Sequence, residues 1–381
     1  MACILKNWRE AATLLLVAKT RNPVVTRVQT CNFQILMLKR SGKSKFMPKL
    51  HVFPGGIADD SDFASEWMDI FNKLGENGVS SLKSFLCRGG PGAFMFSRRR
   101  PEEFSKIPSE LAFRICAIRE TFEESGILLA RDVNRTKNEP QIMQPVSGRS
   151  SVLSDSVLKS WREKVDADSS QFIVMCKELG IVPDVWSLYE WSNWLTPVLP
   201  GSGRRYDTAF FTCVLDYIPN AVHCEKEMTE LEWASASEFL LKHDESKSDF
   251  KLAPPQILEL SRILHFVDAE KLRSFSWERS ATRAHRFFPV TCRCDDGLLF
   301  LYPGDDLYPE VPDFEGENDF MTVSAKIEEL RIKHPNMNRS EIFLNMSGDK
   351  LGNLKCNVQM SDGQVAPLMD LANEIAPHAS L

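Results

Sequence analysis

The sequence predicts an α/β protein with a mixed sheet flanked by helices, followed by a small α+β extension. Runs rich in Leu, Ile and Val alternate with segments of helical periodicity along the first two thirds of the chain. A polar, basic stretch at 274–286 then precedes a last portion with its own strand and helix patterns. The 381 residues exceed the size at which one core usually stops growing, which agrees with two units.

The individual elements follow from hydrophobic periodicity and from helix-breaking residues. Strands are predicted at 11–18, 33–38, 209–215, 231–233, 298–302 and 342–346. Helices are predicted at 65–74, 110–129, 157–165, 172–179, 255–267 and 324–333, with another from Ser237. Ser109 is the candidate cap of the helix at 110–129, and Gly126 stands near its end. We place the first unit at 7–270, with an insertion at 57–110, and the second at 285–381.

Composition narrows the possible partners. With 43% hydrophobic and 26% charged residues, the chain has the make-up of an ordinary globular protein. A net charge of −6 gives no overall attraction to nucleic acid or to an anionic membrane. The apolar run 11–18 is too short to cross a bilayer. We therefore expect no nucleic-acid partner and no membrane insertion, and bulk charge says little more about partners.

Three glutamates on the helix at 110–129 form the most informative pattern. At 100° per residue, Glu120, Glu123 and Glu124 fall within about 100° of arc, opposite an apolar face. Like charges at this spacing destabilise a helix by roughly 0.2–0.5 kcal/mol per pair. A divalent cation would reverse that sign, because Mg²⁺ is commonly held by carboxylates and substrate phosphate. The alternative is a solvated acidic helix face.

The segment from Arg119 to Ile127 resembles the second half of the Nudix box, R-E-U-x-E-E-x-G-U, with Thr121 in place of an apolar residue. The segment 53–56, Phe-Pro-Gly-Gly, resembles the loop that opens the box, and Asp62 stands where its glutamate is expected. The insertion at 57–110 thus splits the box. This arrangement resembles the coenzyme A diphosphatase branch of the Nudix hydrolases, which is peroxisomal. Further matches in the same order lie at 9–12, 194–197, 204–211, 252–256 and 303–309.

A coenzyme A signature of the superfamily is also partly present at 36–56. Leu36, Arg40, Ser41 and the segment 53–56 match it, while Lys45 and Lys49 replace an arginine and a glycine. Lysine attracts phosphate as a point charge but lacks the bidentate fork of arginine. The alternative for these basic residues is a solvated edge. From the resemblance we expect substrate contacts from Arg40, Ser41, Lys45, Gly55, Gly56, Arg204 and Arg205, and the run 98–100, Arg-Arg-Arg, is a further candidate for phosphate.

The resemblance implies a Nudix α/β/α sandwich around a mixed sheet, with a helical insertion. It implies that Glu120, Glu123 and Glu124 hold Mg²⁺ or Mn²⁺ and that Arg119 orients them. A further acidic ligand often comes from a loop before a late strand, and Glu227 is our choice over Glu225 and Glu230. Which glutamate serves as general base stays open, because members of the superfamily differ.

The implied reaction is hydrolysis of the pyrophosphate bond of coenzyme A or acyl-coenzyme A to 3′,5′-ADP and (acyl-)4′-phosphopantetheine. One alternative is the same chemistry on ADP-ribose, NAD(H) or a capped RNA end. Another is a nucleotide-binding protein without catalytic activity. The resemblance implies a peroxisomal location, and the tripeptide 379–381, Ala-Ser-Leu, resembles the peroxisomal Ser-Lys-Leu with serine at the basic position. Cytoplasm and mitochondrion are the alternatives, and the oligomeric state stays open.

Overall fold

The computed structural model describes residues 8–43, 47–88, 93–139, 144–149, 153–198, 205–222, 228–244, 249–282, 284–317, 320–343, 353–361 and 363–368. Its strands are β1 (Arg9–Val25), β2 (Thr30–Arg40), β3 (His51–Val52), β4 (Gly55–Ile57), β5 (Ala130–Asp132), β6 (Ile181–Pro183), β7 (Tyr189–Leu195), β8 (Tyr206–Leu215), β9 (Met228–Ala234), β10 (His285–Phe287), β11 (Val290–Arg293), β12 (Gly297–Leu301), β13 (Met321–Thr322), β14 (Asn338–Phe343) and β15 (Asn353–Cys356). Its α-helices are α1 (Glu66–Asn72), α2 (Gly75–Leu86), α3 (Ser109–Ser125), α4 (Val133–Thr136), α5 (Asp155–Ala167), α6 (Gln171–Leu179), α7 (Ala236–Asp244), α8 (Pro254–Ile263), α9 (Ala269–Arg279) and α10 (Ile327–Lys333).

A mixed sheet forms the centre of the molecule. Within the described ranges it has eight strands, in the order β10-β7-β8-β1-β2-β3, with β4 paired to β1 and β9 paired to β2. Strands β1 and β8 run parallel from Arg9 opposite Tyr206 to Ala18 opposite Leu215. Strand β2 pairs antiparallel with β1, and β7 pairs antiparallel with β8. The glycine-containing strand β4 therefore lies at the edge of β1 where β8 begins.

Strand β1 shows why helices cover both faces of this sheet. Its side chains alternate between faces, and both sets are apolar. Leu14 and Leu16 pack into a core that includes Leu111 of α3, whereas Leu15 and Val17 pack into a second core with α7, α8 and α9. The predicted α/β/α sandwich around a mixed sheet is therefore confirmed.

Helix α3 lies against the sheet and is buried on most of its circumference. Its end is set by Gly126, which adopts φ 74° and donates its N–H to the carbonyl of Phe122 at 2.9 Å. The predicted end at residue 129 is wrong for this reason. Ser109 is the first helical residue and does not cap the helix, because its Oγ accepts a hydrogen bond from Arg100 at 2.7 Å. The buried hydroxyl of Thr121 donates to the carbonyl of Ala117 at 2.7 Å, which explains how threonine is tolerated there.

The insertion at 57–110 packs into the first core. It contains α1, α2 and two short 3₁₀ turns, and its side chains Trp67, Phe71 and Met95 are buried beside the apolar face of α3. The sequence analysis predicted α1 but not α2, whose Gly75 and Gly78 are poor helix formers. The apolar face of α2 supplies Leu82 and Phe85 to the core, which offsets that weakness.

A second sheet follows, in the order β13-β11-β12-β14-β15 within the described part of the chain. On one face Cys292, Leu299 and Leu301 pack against Ile327 and Leu330 of α10. Strand β14 starts at residue 338, earlier than predicted, and the predicted strand residues 344–346 lie outside the described residues. The expected α+β extension is present.

The polar stretch at 274–286, read from the sequence as a boundary, belongs to the first sheet. Helix α9 covers its first part, residues 274–279, and Trp277 packs edge-on against Tyr189 of β7 with ring centroids 5.9 Å apart. Strand β10 pairs with β7, so that Phe287 lies opposite Trp194. The division at 7–270 and 285–381 stays a proposal. Among the helices that the structure describes, none combines the length and apolarity needed to cross a membrane.

Candidate active site

A cavity of about 750 Å³ lies where α3 approaches β4 at the edge of the first sheet. Its volume falls within the roughly 300–1,000 Å³ of small-molecule sites. Its walls include seven of the residues predicted from the sequence: Arg40, Ser41, Gly55, Gly56, Glu120, Glu123 and Glu124. Residues separated by more than 80 positions in the chain therefore meet around one space.

The two glycines of β4 allow this strand to lie close to β1 on one side and to the carboxylates of α3 on the other. The N–H of Gly55 donates to Oε2 of Glu124 at 2.8 Å. A Cβ on Gly55 would lie 2.4 Å from the carbonyl oxygen of Ala12, and a Cβ on Gly56 would lie 2.3 Å from Oε2 of Glu120. Any larger residue at either position would displace the backbone of β1 or the carboxylate of Glu120.

Arg119 connects the carboxylates from behind and is itself only 3% exposed. Its Nη1 donates to Glu120 at 2.9 Å and to Glu123 at 2.8 Å. Its Nε and Nη2 donate to the two carboxylate oxygens of Asp62, each at 2.8 Å. Asp62 is buried, so this bidentate pair fixes the guanidinium. We call Asp62, Arg119, Glu120, Glu123 and Glu124 the acidic cluster.

The acidic cluster carries more negative than positive charge. The cluster contains four carboxyl groups and one guanidinium, which pairs with three of them, Asp62, Glu120 and Glu123. Glu120, Glu123 and Glu124 line the cavity. Burial, and then the negative charge of Glu120, raises the pKa of Glu123 to about 8, although Arg119 opposes this. A bound cation would favour the charged forms of these groups.

The donor chemistry fits a hard divalent cation, because carboxylate oxygens are the ligands that Mg²⁺ and Mn²⁺ prefer. In the described part of the molecule, no three His, Cys, Asp or Glu side chains are already arranged so that they could hold a metal ion. Arg119 holds Glu120 and Glu123, while the N–H of Gly55 holds Glu124. Glu227, the predicted fourth ligand, lies outside the described residues, as does Glu225. Glu230 is 59% exposed and pairs with Lys39 at 2.8 Å.

The predicted substrate contacts lie in three kinds of place: on the cavity wall, outside the described residues and buried behind the wall. Arg40 and Ser41 line the cavity beside Lys43. Lys45 and Arg204 lie outside the described residues.

Arg205 is buried and is not among the cavity-lining residues; its guanidinium lies between the rings of Trp8 and Phe288, at 5.4 and 5.7 Å from their centroids. Its contact with substrate stays a prediction. Alternation along β8 explains this position, because Tyr206, Thr208 and Phe210 face the cavity.

Two arginines of the run 98–100 are committed to ion pairs instead of phosphate. Arg98 pairs with Asp207 at 2.6 Å and with Glu10 at 3.1 Å. Arg100 pairs with Glu10 at 2.6 Å, and Arg286 pairs with Asp207 at 3.0 Å. We call Glu10, Arg98, Arg100, Asp207 and Arg286 the structural cluster. It joins the insertion, β1, β8 and β10.

The apolar part of the cavity was missed by the sequence analysis. Trp194 and Phe210 come from the first sheet, Phe300 and Ile342 come from the second sheet, and Tyr302 directly follows β12. One signal was available, since the run 298–302 is apolar at successive positions. A strand that is apolar on both faces must be covered on both, so a partner beyond α10 was to be expected.

Comparison with known proteins gives two matches to family models. The model described as the NUDT19 Nudix domain matches residues 8–263, and the model described as the NUDT19 C-terminal domain matches residues 291–346. The first match alone covers more than half of the chain.

Curated relatives cover most of the chain. The Xenopus laevis protein named acyl-coenzyme A diphosphatase NUDT19 is 40% identical over 343 residues, covering 86% of this chain and 88% of that protein. The Gallus gallus protein of the same name is 40% identical over 333 residues, covering 86% of each. The Homo sapiens protein of that name is 34% identical over 344 residues, covering 85% of this chain and 86% of its own.

Proposed function

This chain belongs to the NUDT19 family of Nudix hydrolases, and from that premise we propose that it hydrolyses the pyrophosphate bond of coenzyme A and acyl-coenzyme A. The products are 3′,5′-ADP and (acyl-)4′-phosphopantetheine. The observation that carries this proposal is the make-up of the cavity, where acidic, basic and apolar walls surround one space.

The cavity walls match the three parts of such a substrate. Arg40 and Lys43 lie on one wall and suit the phosphates of the 3′,5′-ADP half. The carboxylates of the acidic cluster lie where the glycine strand meets α3 and suit a pyrophosphate with its cation. The apolar wall suits the pantetheine arm and an acyl chain.

Nudix hydrolases generally use divalent metal ions, and we propose Mg²⁺ or Mn²⁺ held by Glu120, Glu123 and Glu124, with Glu227 as a further ligand. When bound, the ion offsets charge on the pyrophosphate oxygens and lowers the pKa of a bound water. Arg119 orients two of these carboxylates through its hydrogen bonds and is itself oriented by Asp62. The N–H of Gly55 orients Glu124.

We also propose a peroxisomal location, supported by the tail Ala379-Ser380-Leu381. Replacing Ser380 by lysine restores the usual positive charge, and we expect Ser380→Lys to increase import of a fluorescently tagged protein into peroxisomes. Complete import of the native protein would show that serine suffices. A native protein found wholly in the cytosol or in mitochondria would overturn the location.

A substrate panel with product masses tests the proposed activity. Purified enzyme with Mg²⁺ or Mn²⁺ is given coenzyme A, acyl-coenzyme A, ADP-ribose, NADH and capped RNA, with Glu124→Gln as the matched control. We expect 3′,5′-ADP from the first two substrates and strongly reduced product in the control. Faster hydrolysis of ADP-ribose, NADH or capped RNA would assign another Nudix substrate. Absence of any hydrolysis would indicate a nucleotide-binding protein without catalytic activity.

A further inference from the structure

We propose that the second sheet forms the far wall of an acyl-chain pocket and thereby sets which acyl-coenzyme A substrates are preferred. The residues that would do this are Phe300, Tyr302 and Ile342. The inference rests on the proposed function, because it concerns the acyl end of the same substrate. It gives the C-terminal extension a role in substrate selection.

The two faces of the second sheet are used differently. Leu299 and Leu301 of β12 face α10, and the alternate residues Phe300 and Tyr302 face the first sheet and the cavity. On β14, Ile342 pairs with Leu298 of β12 and lines the cavity, whereas its neighbour Phe343 packs with the core beneath α10. One face of this sheet therefore stabilises the extension and the other closes the cavity.

A series of aromatic contacts connects the acidic end of the cavity with the second sheet. Phe53, two residues before Gly55, packs edge-on against Phe210 with centroids 6.5 Å apart. Phe210 lies 6.4 Å from Trp194, and Trp194 lies 5.8 Å from Tyr302. Each of these rings lines the cavity. An extended chain leaving the carboxylates along this wall reaches the second sheet.

The position of this wall is fixed by its own contacts. The Tyr302 hydroxyl and the Ser340 hydroxyl are 2.7 Å apart in the buried interior, so the phenol is not left without a partner. Trp194 stacks on Phe287 at 4.6 Å, and its indole N–H donates to Glu259 at 2.7 Å. The wall is apolar towards the cavity and hydrogen-bonded on its other side. It suits a saturated acyl chain, which offers no hydrogen bonds.

The preference for chain length follows from the burial of methylene groups. Each buried CH₂ increases affinity by about fourfold, from roughly 0.8 kcal/mol. We expect kcat/KM to rise with acyl length until the chain meets the second sheet, and then to stop rising. Ile342 is half-buried at this wall and is not a member of the described hydrophobic cores, so we expect a change in its size to act mainly on the cavity.

The test compares Ile342→Trp, Ile342→Ala and the control Phe343→Ala on coenzyme A and on saturated acyl-coenzyme A esters of increasing length. Ile342 and Phe343 are adjacent on β14, but only Ile342 lines the cavity. For Ile342→Trp we expect the ratio of kcat/KM for a long ester to that for coenzyme A to fall at least about tenfold, the effect of about two methylenes. For Ile342→Ala the best substrate becomes longer. Phe343→Ala keeps the wild-type ratio.

Unchanged chain-length profiles in both Ile342 variants, with near-ultraviolet circular dichroism like that of wild type, would overturn the inference. So would a wild-type enzyme that cleaves coenzyme A but shows no dependence on acyl length, and in that case the proposed function would stand. Cleavage of neither coenzyme A nor its esters by wild type would overturn the proposed function and this inference with it. An equal shift in Phe343→Ala would also contradict the inference, because it would trace the effect to the stability of the extension.

Discussion

The acidic cluster and the structural cluster both join arginine to carboxylates beside the first sheet, but their charges are balanced differently. The structural cluster combines Arg98, Arg100 and Arg286 with Glu10 and Asp207, so positive charge exceeds negative. The acidic cluster combines four carboxyl groups with the single guanidinium of Arg119, which pairs with three of them.

The surroundings differ in the same sense. In the structural cluster both carboxylates are buried and each receives at least two arginines. In the acidic cluster Glu120, Glu123 and Glu124 face a cavity. Uncompensated carboxylates are costly inside a protein unless a partner is supplied. The difference teaches that the structural cluster is complete within the protein, whereas the acidic cluster has carboxylates left over for the cation of the proposed function.

The largest effect is expected from breaking the structural cluster. Glu10→Gln removes the carboxylate that pairs with Arg100 and one of the two that pair with Arg98. Removing one member of a buried ion pair costs about 3–5 kcal/mol. We expect the free energy of unfolding, measured by urea titration, to fall by that amount. Glu328→Gln is the control, since this residue is 69% exposed in its pair with Arg331 and should change stability by less than about 1 kcal/mol. Equal stability of Glu10→Gln and the control would show that the structural cluster is not needed for folding.

Substitutions in the acidic cluster should instead reduce activity and leave stability unchanged or higher. Glu123→Gln and Glu124→Gln each remove charge without changing side-chain shape, so we expect kcat to fall by at least about 10²-fold, equivalent to roughly 2.7 kcal/mol. Without metal, the free energy of unfolding of Glu123→Gln should hold or increase at neutral pH. The raised pKa of Glu123 means that this carboxyl must take up a proton on folding, a cost that glutamine does not carry. The measurement is steady-state hydrolysis of coenzyme A together with urea unfolding. Near-wild-type turnover in both variants would show that the glutamates of this helix are not needed for catalysis.

The acidic cluster could be predicted from the sequence because its main part is local. The residues from Arg119 to Gly126 lie within two turns of one helix, and helical periodicity alone places the three glutamates together. Gly55 and Gly56 were added because the segment 53–56 resembles the loop that opens the Nudix box. The mixed sheet flanked by helices followed from the same kind of local information, namely the alternation of apolar strand-like runs with segments of helical periodicity. The α/β/α sandwich was added by the family resemblance.

The structural cluster and the apolar wall could not be predicted in this way. Arg98 and Asp207 are 109 positions apart, and nothing local to either residue indicates the other. The run 98–100 therefore resembled a phosphate site. Ile342 reaches the cavity through the pairing of two strands in the second sheet. The position of Arg205 away from the cavity wall could not be predicted either, because the side of the sheet to which it points depends on the start of β8.

A smaller effect is expected from Arg40, which we propose as a substrate contact and not as a structural ion pair. Arg40 lines the cavity and belongs to neither cluster. A charge-assisted contact with the 3′-phosphate contributes roughly 1.5–3 kcal/mol, so coenzyme A should be preferred over dephospho-coenzyme A by about 10- to 150-fold in kcat/KM. We expect Arg40→Ala to reduce this ratio, and Lys45→Ala to do so if Lys45 makes the contact. Lys39→Ala is the control, because Lys39 pairs with Glu230. A ratio that is unchanged in both Arg40→Ala and Lys45→Ala would exclude these residues from 3′-phosphate recognition.

Binding of Mn²⁺ tests most directly whether the acidic cluster is completed by a cation. Isothermal titration of Mn²⁺ into wild type, Glu123→Gln, Glu124→Gln and the control Glu328→Gln measures affinity without requiring a substrate. We expect the Kd for Mn²⁺ to rise at least about tenfold in both acidic-cluster variants and to remain at the wild-type value in the control. The same Mn²⁺ affinity in all four proteins would contradict the account.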